Sequence, residues 1–171
     1  MGAGCPTHFH QKNMTEEFQY RLLTATLGDL PQLGEMERIC FPLDAWPLVE
    51  QIAALILPGM VRIKADYYGK MIGFVGGDVK PSQGVGWITT LAVLPSYRRM
   101  GIGKALLEAC EREMHMPYVK LSVRRSNIQA QVLYFENGYR QKDVWRNYYD
   151  GGEDALVLEK HLTQYGNVGL L

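Results

Sequence analysis

A mixed α/β or α+β domain with more strands than helices is what this sequence predicts, on three observations. Alternating apolar and polar runs of strand length recur along the chain, whereas only a few stretches place apolar residues at helical spacing. Some neighbouring strands are joined by a short polar turn, implying antiparallel pairing, and one pair is separated by a helix, implying a parallel crossover. No tract rich in Pro, Ser or like charge divides the 171 residues, and no repeat appears, so a single domain is expected.

Residues 1–18 mix Gly, His, Gln and Asn without periodicity and read as a flexible leader to a domain spanning 19–162. A strand from Tyr20 to about Thr26 leads to a helix opened by Asp29, with Leu30, Leu33, Met36 and Cys40 on one face and Phe41-Pro42 at its end. A second helix, Leu48 to Leu57, stops at Pro58-Gly59, and Val61, Ile63 and Ala65 then alternate with charged residues as a half-buried strand. Met71 to Gly77 and Trp87 to Val93 form two more strands around a turn holding Pro81, Ser82 and Gly84. Gly101 to Met114 is a helix with Ile102, Leu106, Ala109 and Cys110 inward, followed by a strand, Tyr118 to Val123. Asn127 caps a last helix ending at Gly138, and Tyr139 to Val144 and Ala155 to Lys160 are closing strands before a flexible tail, 163–171.

Lys and Arg (18) balance Asp and Glu (18), interspersed rather than blocked, so no global field draws nucleic acid or anionic lipid. Cys5, Cys40 and Cys110 are far apart and form no CxxC pair, which argues against a disulfide framework or zinc site and fits a reducing cytoplasm. The longest apolar run, around Ile52 to Leu57, is too short to span a bilayer, and the start lacks the order of a signal peptide; no membrane partner is expected. His8 and His10 fall in the leader and His115 and His161 stand apart from any carboxylate constellation, so no metal is expected.

The segment richest in chemistry is LAVLPSYRRMGIGK, Leu91 to Lys104: a buried strand, a turn, two arginines, then Gly-x-Gly opening a helix. Gly101 and Gly103 tolerate positive φ and close approach, the helix start offers unpaired N–H groups, and Arg98 and Arg99 add countercharge, together describing an anion site. Neither GxGxxG nor GxxxxGK[ST] can be written on it. From these residues alone, a tight helix start beside two solvated arginines remains an alternative.

RxxGxG at Arg98 to Gly103, preceded by LAV and Pro95, resembles the coenzyme A signature of the Gcn5-related N-acetyltransferase (GNAT) family. A second block, LSVRRSNIQAQVLYFENGY from Leu121 to Tyr139, is similar to another stretch of that family. A third, WRNYYDGGEDALVLEK from Trp145 to Lys160, resembles the ends of RimI-type and related protein amino-terminal acetyltransferases. The resemblance implies the GNAT fold, a twisted, largely antiparallel sheet of about seven strands flanked by about four helices, and acetyl-CoA as acyl donor.

It further implies that Arg98, Arg99, Met100, Gly101, Ile102, Gly103 and Lys104 cradle the pyrophosphate, that Leu91, Ala92 and Val93 lie along the pantetheine arm, and that Asn127 binds that arm. Tyr134 would sit by the sulfur and protonate the leaving thiolate; an N-cap role for Asn127 and a packing role for Tyr134 are the alternatives. The loop Phe41, Pro42, Leu43, Asp44 and the pair Tyr148 and Tyr149 would enclose the acceptor, although two half-buried rings before an Asp-Gly-Gly turn can also be mere packing.

Two positions depart from the family. Ser122 stands where many relatives carry Glu or His, and Trp87 where others carry Tyr, so both familiar bases are missing. An α-amine with a pKa of about 7.7 to 8.0 is about a fifth neutral at pH 7.2, whereas a lysine amine near 10.4 is below about 0.1%. The expected acceptor is therefore a peptide or protein α-amine, its proton leaving through water held by Ser122, by direct attack on the thioester. A small amine, polyamine or lysine acceptor, and a weakly catalytic acyl-CoA-binding sensor, stay open, as does a monomeric or homodimeric state.

Overall fold

The computed structural model describes residues 18–162; the leader with Cys5, His8 and His10, and the tail after Leu162, lie outside the described residues. One seven-stranded sheet carries four helices. Its strands are β1 (Arg21–Thr24), β2 (Met60–Tyr67), β3 (Lys70–Lys80), β4 (Val85–Val93), β5 (Tyr118–Arg124), β6 (Arg140–Tyr149) and β7 (Glu153–His161). The helices are α1 (Leu30–Cys40), α2 (Leu48–Ile56), α3 (Ile102–Met114) and α4 (Ile128–Glu136).

The strand order is β1-β2-β3-β4-β5-β7-β6. β2 to β4 form an antiparallel meander on short turns, β1 pairs antiparallel with β2 although α1 and α2 lie between them in the chain, and α3 carries the chain across to β5, the one parallel neighbour. The expected mixed, mostly antiparallel architecture is thus observed.

Each face has its own core. Leu106, Leu107, Cys110 and Met114 of α3 pack with Val119, Leu121 and Tyr134 on one side. Leu33 and Met36 of α1 and Leu55 of α2 pack with Phe74 and Ala92 on the other. α3 lies close because β3 has no side chain at Gly73, where a Cβ would stand 2.9 Å from Leu106 and 3.2 Å from the Ala92 carbonyl.

Several boundaries differ from the sequence expectation. β1 ends at Thr24, because residues 27–29 wind into a 3-10 turn in which Asp29 accepts the Thr26 N–H (2.8 Å) and pairs with Lys64. Asp29 stands before α1 without capping it through its side chain. β6 continues well past Val144 through an irregularity between Trp145 and Tyr149, so Tyr148 and Tyr149 end a strand rather than occupying a loop.

Candidate active site

The parallel ladder between β4 and β5 is short: Val85 to Ile88 face Tyr118 to Leu121, and beyond this the strands separate. The cause is a bulge in β4. Gly77 pairs with Ile88 but Gly76 pairs with Thr90, leaving Thr89 as the extra residue. Past the bulge, the Leu94 N–H donates to Ile72 on β3 (3.0 Å). Because backbone groups alternate along a strand, the amides of Val93 and Leu91 face the gap. The Val93 carbonyl there accepts Arg98 Nε (3.0 Å) and Cys40 Sγ (3.6 Å), so Arg98 braces the end of β4.

At the same end, α3 begins. Arg99 (φ 65°) and Gly101 (φ 78°) both adopt the left-handed conformation, and the first intrahelical bond is Ala105 N–H to Gly101 O (3.0 Å). The N–H groups of Ile102, Gly103 and Lys104 are therefore outside the helical ladder, at the positive end of a helix of 13 residues. Nothing lies within 4 Å of a Cβ built on Gly101, so the loop is open on that side. Arg98, Arg99, Met100 and Lys104 are exposed around it, Lys104 reaching Glu108 (3.8 Å).

The gap continues into a cleft of about 150 Å³ bounded by Phe41, Asp44, Leu91, Ser122, Asn127, Tyr134 and Tyr149, seven of the residues singled out from sequence. Val119, Leu121 and Val123 of β5 are buried toward α3, so Ser122 and Arg124 point to the α1 side. Tyr134 comes from α4; its hydroxyl titrates far above the ordinary phenol value because of burial, and its ring meets Tyr139 edge-on at 5.7 Å. Asn127 does cap α4, its Oδ1 accepting the Ala130 N–H (3.1 Å), which leaves its NH2 as a donor.

Arg124, not singled out from sequence, ties the α1–α2 loop over the cleft. Its Nε and one terminal nitrogen each bond Asp44 at 2.6 Å, the other bonds Glu153 at 2.7 Å, and its guanidinium lies 4.4 Å from the centre of the Tyr149 ring. The Tyr149 hydroxyl is raised by burial, partly offset by its hydrogen bond with Ser122. Pro42, Leu43, Trp87 and Tyr148 do not border the cleft. Trp87 stacks on Trp145 (5.8 Å), which contacts Tyr148 (5.0 Å), which meets Tyr149 edge-on (5.1 Å), so Trp87 reaches the cleft only through other rings. Leu43 is 76% exposed.

Three further residues of the cleft were also missed: Glu37, Trp46 and Thr90. Glu37 is 1% exposed, with Oε1 accepting the Thr90 hydroxyl (3.2 Å) and Oε2 the Trp46 N–H (3.3 Å), and burial raises its pKa. A signal was present, since Glu37 falls on the same helical stripe as Leu33, Met36 and Cys40. A larger groove of about 610 Å³, between β1–β2 and the side of α3, holds none of these groups. Among the described residues no group of three His, Cys, Asp or Glu could hold a metal, and no helix is long and apolar enough to cross a membrane.

The profile of the acetyltransferase (GNAT) family matches residues 30–139. The chain belongs to this family. The acetyltransferase is 34% identical, over 81% of its length and 76% of the other's, to the N-terminal acetyltransferase A complex catalytic subunit NAA10 of Arabidopsis thaliana. It is 31% identical to an N-alpha-acetyltransferase of Sulfurisphaera tokodaii, over 82% of this chain and 92% of that protein. Among solved structures, it overlays the ribosomal-protein-S18-alanine N-acetyltransferase of Escherichia coli with a TM-score of 0.78 and 25% identity, covering 90% of this chain and all of that one. The protein is an acetyl-CoA-dependent N-acetyltransferase.

Proposed function

We propose that this enzyme acetylates the α-amine of a protein or peptide amino terminus by direct attack on the thioester. The observation that carries the reading is access from two sides. The anion-binding start of α3 lies on one face of the sheet, the Asp44–Arg124 bridge and Tyr149 lie on the other, and the β4–β5 gap connects them. Donor and acceptor can then meet without a covalent enzyme intermediate. The α-amine is favoured by the named activities of the relatives and by Ser122, which leaves the β5 position without a base strong enough for a lysine.

The residues fit coenzyme A: a left-handed Arg99, an open Gly101 and three free N–H groups suit a pyrophosphate, and the Leu91 and Val93 amides suit an extended amide chain. Acetyl-CoA supplies the acyl group in activated form. Residues 98–104 hold the phosphates, Leu91, Ala92, Val93 and the Asn127 NH2 align the arm, and the Tyr134 hydroxyl faces the sulfur as proton donor. Phe41, Asp44 and Tyr149 enclose the acceptor's first residues, Tyr148 and Trp87 backing them through Trp145, while Ser122 holds a water. A cytoplasmic setting accords with the free thiols of Cys40 and Cys110.

The test is thiol release from acetyl-CoA with matched peptides, one with a free amino terminus and one blocked there but carrying an internal lysine. Release with the first alone is expected. Release only with the second would reassign the acceptor to side chains, and none with either would favour small amines or a sensor.

A further inference from the structure

Glu37 is a buried carboxylate with hydrogen bonds to Thr90 and Trp46 but no salt bridge to a Lys or Arg among the described residues. It is buried on the inner stripe of α1, where an apolar residue would pack without penalty, and no cation among the described residues acts on it. Its two hydrogen bonds, 3.2 Å from Thr90 and 3.3 Å from Trp46, are long for a carboxylate. Yet both Glu37 and Thr90 border the cleft that holds Ser122 and Tyr134. Thr90 is the residue directly after the bulge, so the distortion that opens the sheet also places this hydroxyl between the cleft and α1.

We propose that the acetyl transfer delivers its proton to Glu37 through the Thr90 hydroxyl. The inference rests on the amine-acetylation reading. The amine nitrogen forms a bond to the acyl carbon as the C–S bond breaks. The N–H proton passes to Thr90 Oγ, whose own proton passes to Glu37 Oε1. The departing thiolate takes the phenolic proton of Tyr134, which water restores, and Glu37 returns its proton to water after the amide has formed. Thr90 touches the acceptor; Glu37 acts through it and also orients it. This fills the role that neither Ser122 nor Trp87 can perform.

The charged and titratable groups around Glu37 are few. Glu50 of α2 raises its pKa further, Cys40 lies one turn along α1 with Arg98 against it, and across the cleft stand Tyr149 and the Asp44–Arg124 pair, already engaged with each other. Burial is the largest influence, and its direction brings the acceptor closer to the pH at which an amine is neutral.

The experiment compares wild type with Glu37→Gln, Thr90→Val and Thr90→Ser. Glutamine can keep both hydrogen bonds, its oxygen accepting Trp46 and its NH2 donating to Thr90, so E37Q should fold; its melting temperature near pH 8 is expected to equal or exceed that of wild type, since a buried ionised carboxylate has gone. With whichever amine the wild type acetylates, E37Q and T90V are each expected to lower kcat about 10²-fold while both KM values stay within about twofold. Both should lose the acid limb of the kcat–pH profile, the double variant should be no slower than either single one, and T90S should retain the wild-type profile. A 13C NMR titration of the free protein should show a carboxyl titrating above the others that is absent in E37Q. An unchanged kcat or pH profile in E37Q, a loss confined to KM, or a Glu37 carboxyl titrating with the surface acids would overturn the proposal. Wild type failing on every amine would instead overturn the amine reading.

Discussion

Replacing Asp44 by Asn tests whether the α1–α2 loop is held over the acceptor by Arg124. Asp44 contributes two bonds of 2.6 Å to one guanidinium. Asn keeps one oxygen for that guanidinium and loses the charge and one bond. A hydrogen bond to a charged group contributes about 1.5–3 kcal/mol. The side chains are 16% and 27% exposed, so solvent screening reduces the loss to about 1 kcal/mol. Arg124 keeps Glu153 and is not stranded. A loss of about 1 kcal/mol shifts the closed-to-open ratio about fivefold, so the peptide KM should rise about fivefold with kcat and the acetyl-CoA KM nearly unchanged. The melting temperature should fall by about 2–4 °C. Initial rates of thiol release on a short free-amine peptide measure the first, and a thermal melt the second. Raising the salt should narrow the difference between the proteins. An unchanged peptide KM, or a rise confined to acetyl-CoA, would refute the role given to the loop.

Other outcomes follow from the same geometry. Tyr134→Phe removes the proposed proton donor and preserves the ring contact with Tyr139; kcat should fall about 10²-fold with KM values held, and a wild-type rate would remove Tyr134 from the chemistry. Gly73→Val puts a branched side chain where Leu106 and the Ala92 carbonyl already crowd the Cβ position; it should cost about 1–3 kcal/mol in a urea melt and weaken coenzyme binding by displacing the first turns of α3. Burial raises the pKa of Asp29 and Glu159, but Lys64 with Thr26, and Lys120 with Lys142, more than offset it, so both carboxyls titrate below their ordinary values. Their stabilisation is present above those ordinary values and is lost as pH falls through the folded ones, so melting temperature should drop below about pH 4, and less steeply in Lys64→Met.

The strands and helices were legible because each buries one face: Val119, Leu121 and Val123 against Lys120 and Ser122 is a period-2 pattern any sheet would need. The length of β6 was not, since its exposed residues carry no such alternation and its pairing comes from β7. The left-handed turn before α3 was readable from Gly101 and its neighbours because backbone geometry there requires specific residue types. Arg124 and Glu37 escaped because their roles depend on partners distant in sequence: Asp44 lies 80 positions from Arg124, and Thr90 lies 53 from Glu37. Trp87 was singled out by resemblance, as the position where relatives carry Tyr; it lies before the bulge, still paired with Lys120 in the parallel ladder, and so falls outside the opening that starts at Thr89.

The short ladder between β4 and β5 has a thermodynamic consequence. Only four residue pairs join the N-terminal meander to the three C-terminal strands at the middle of the sheet, and past them each strand leaves an edge uncovered inside the fold. A ligand chain lying there would act as structural mortar between two half-sheets that are otherwise joined by those four pairs and by the shared core under α3. Its binding would therefore report as rigidity across the whole domain: at about 100 times the dissociation constant, the folded state gains about 2.7 kcal/mol. The concentration of acyl-CoA would then bear on the stability of the enzyme as well as on its rate.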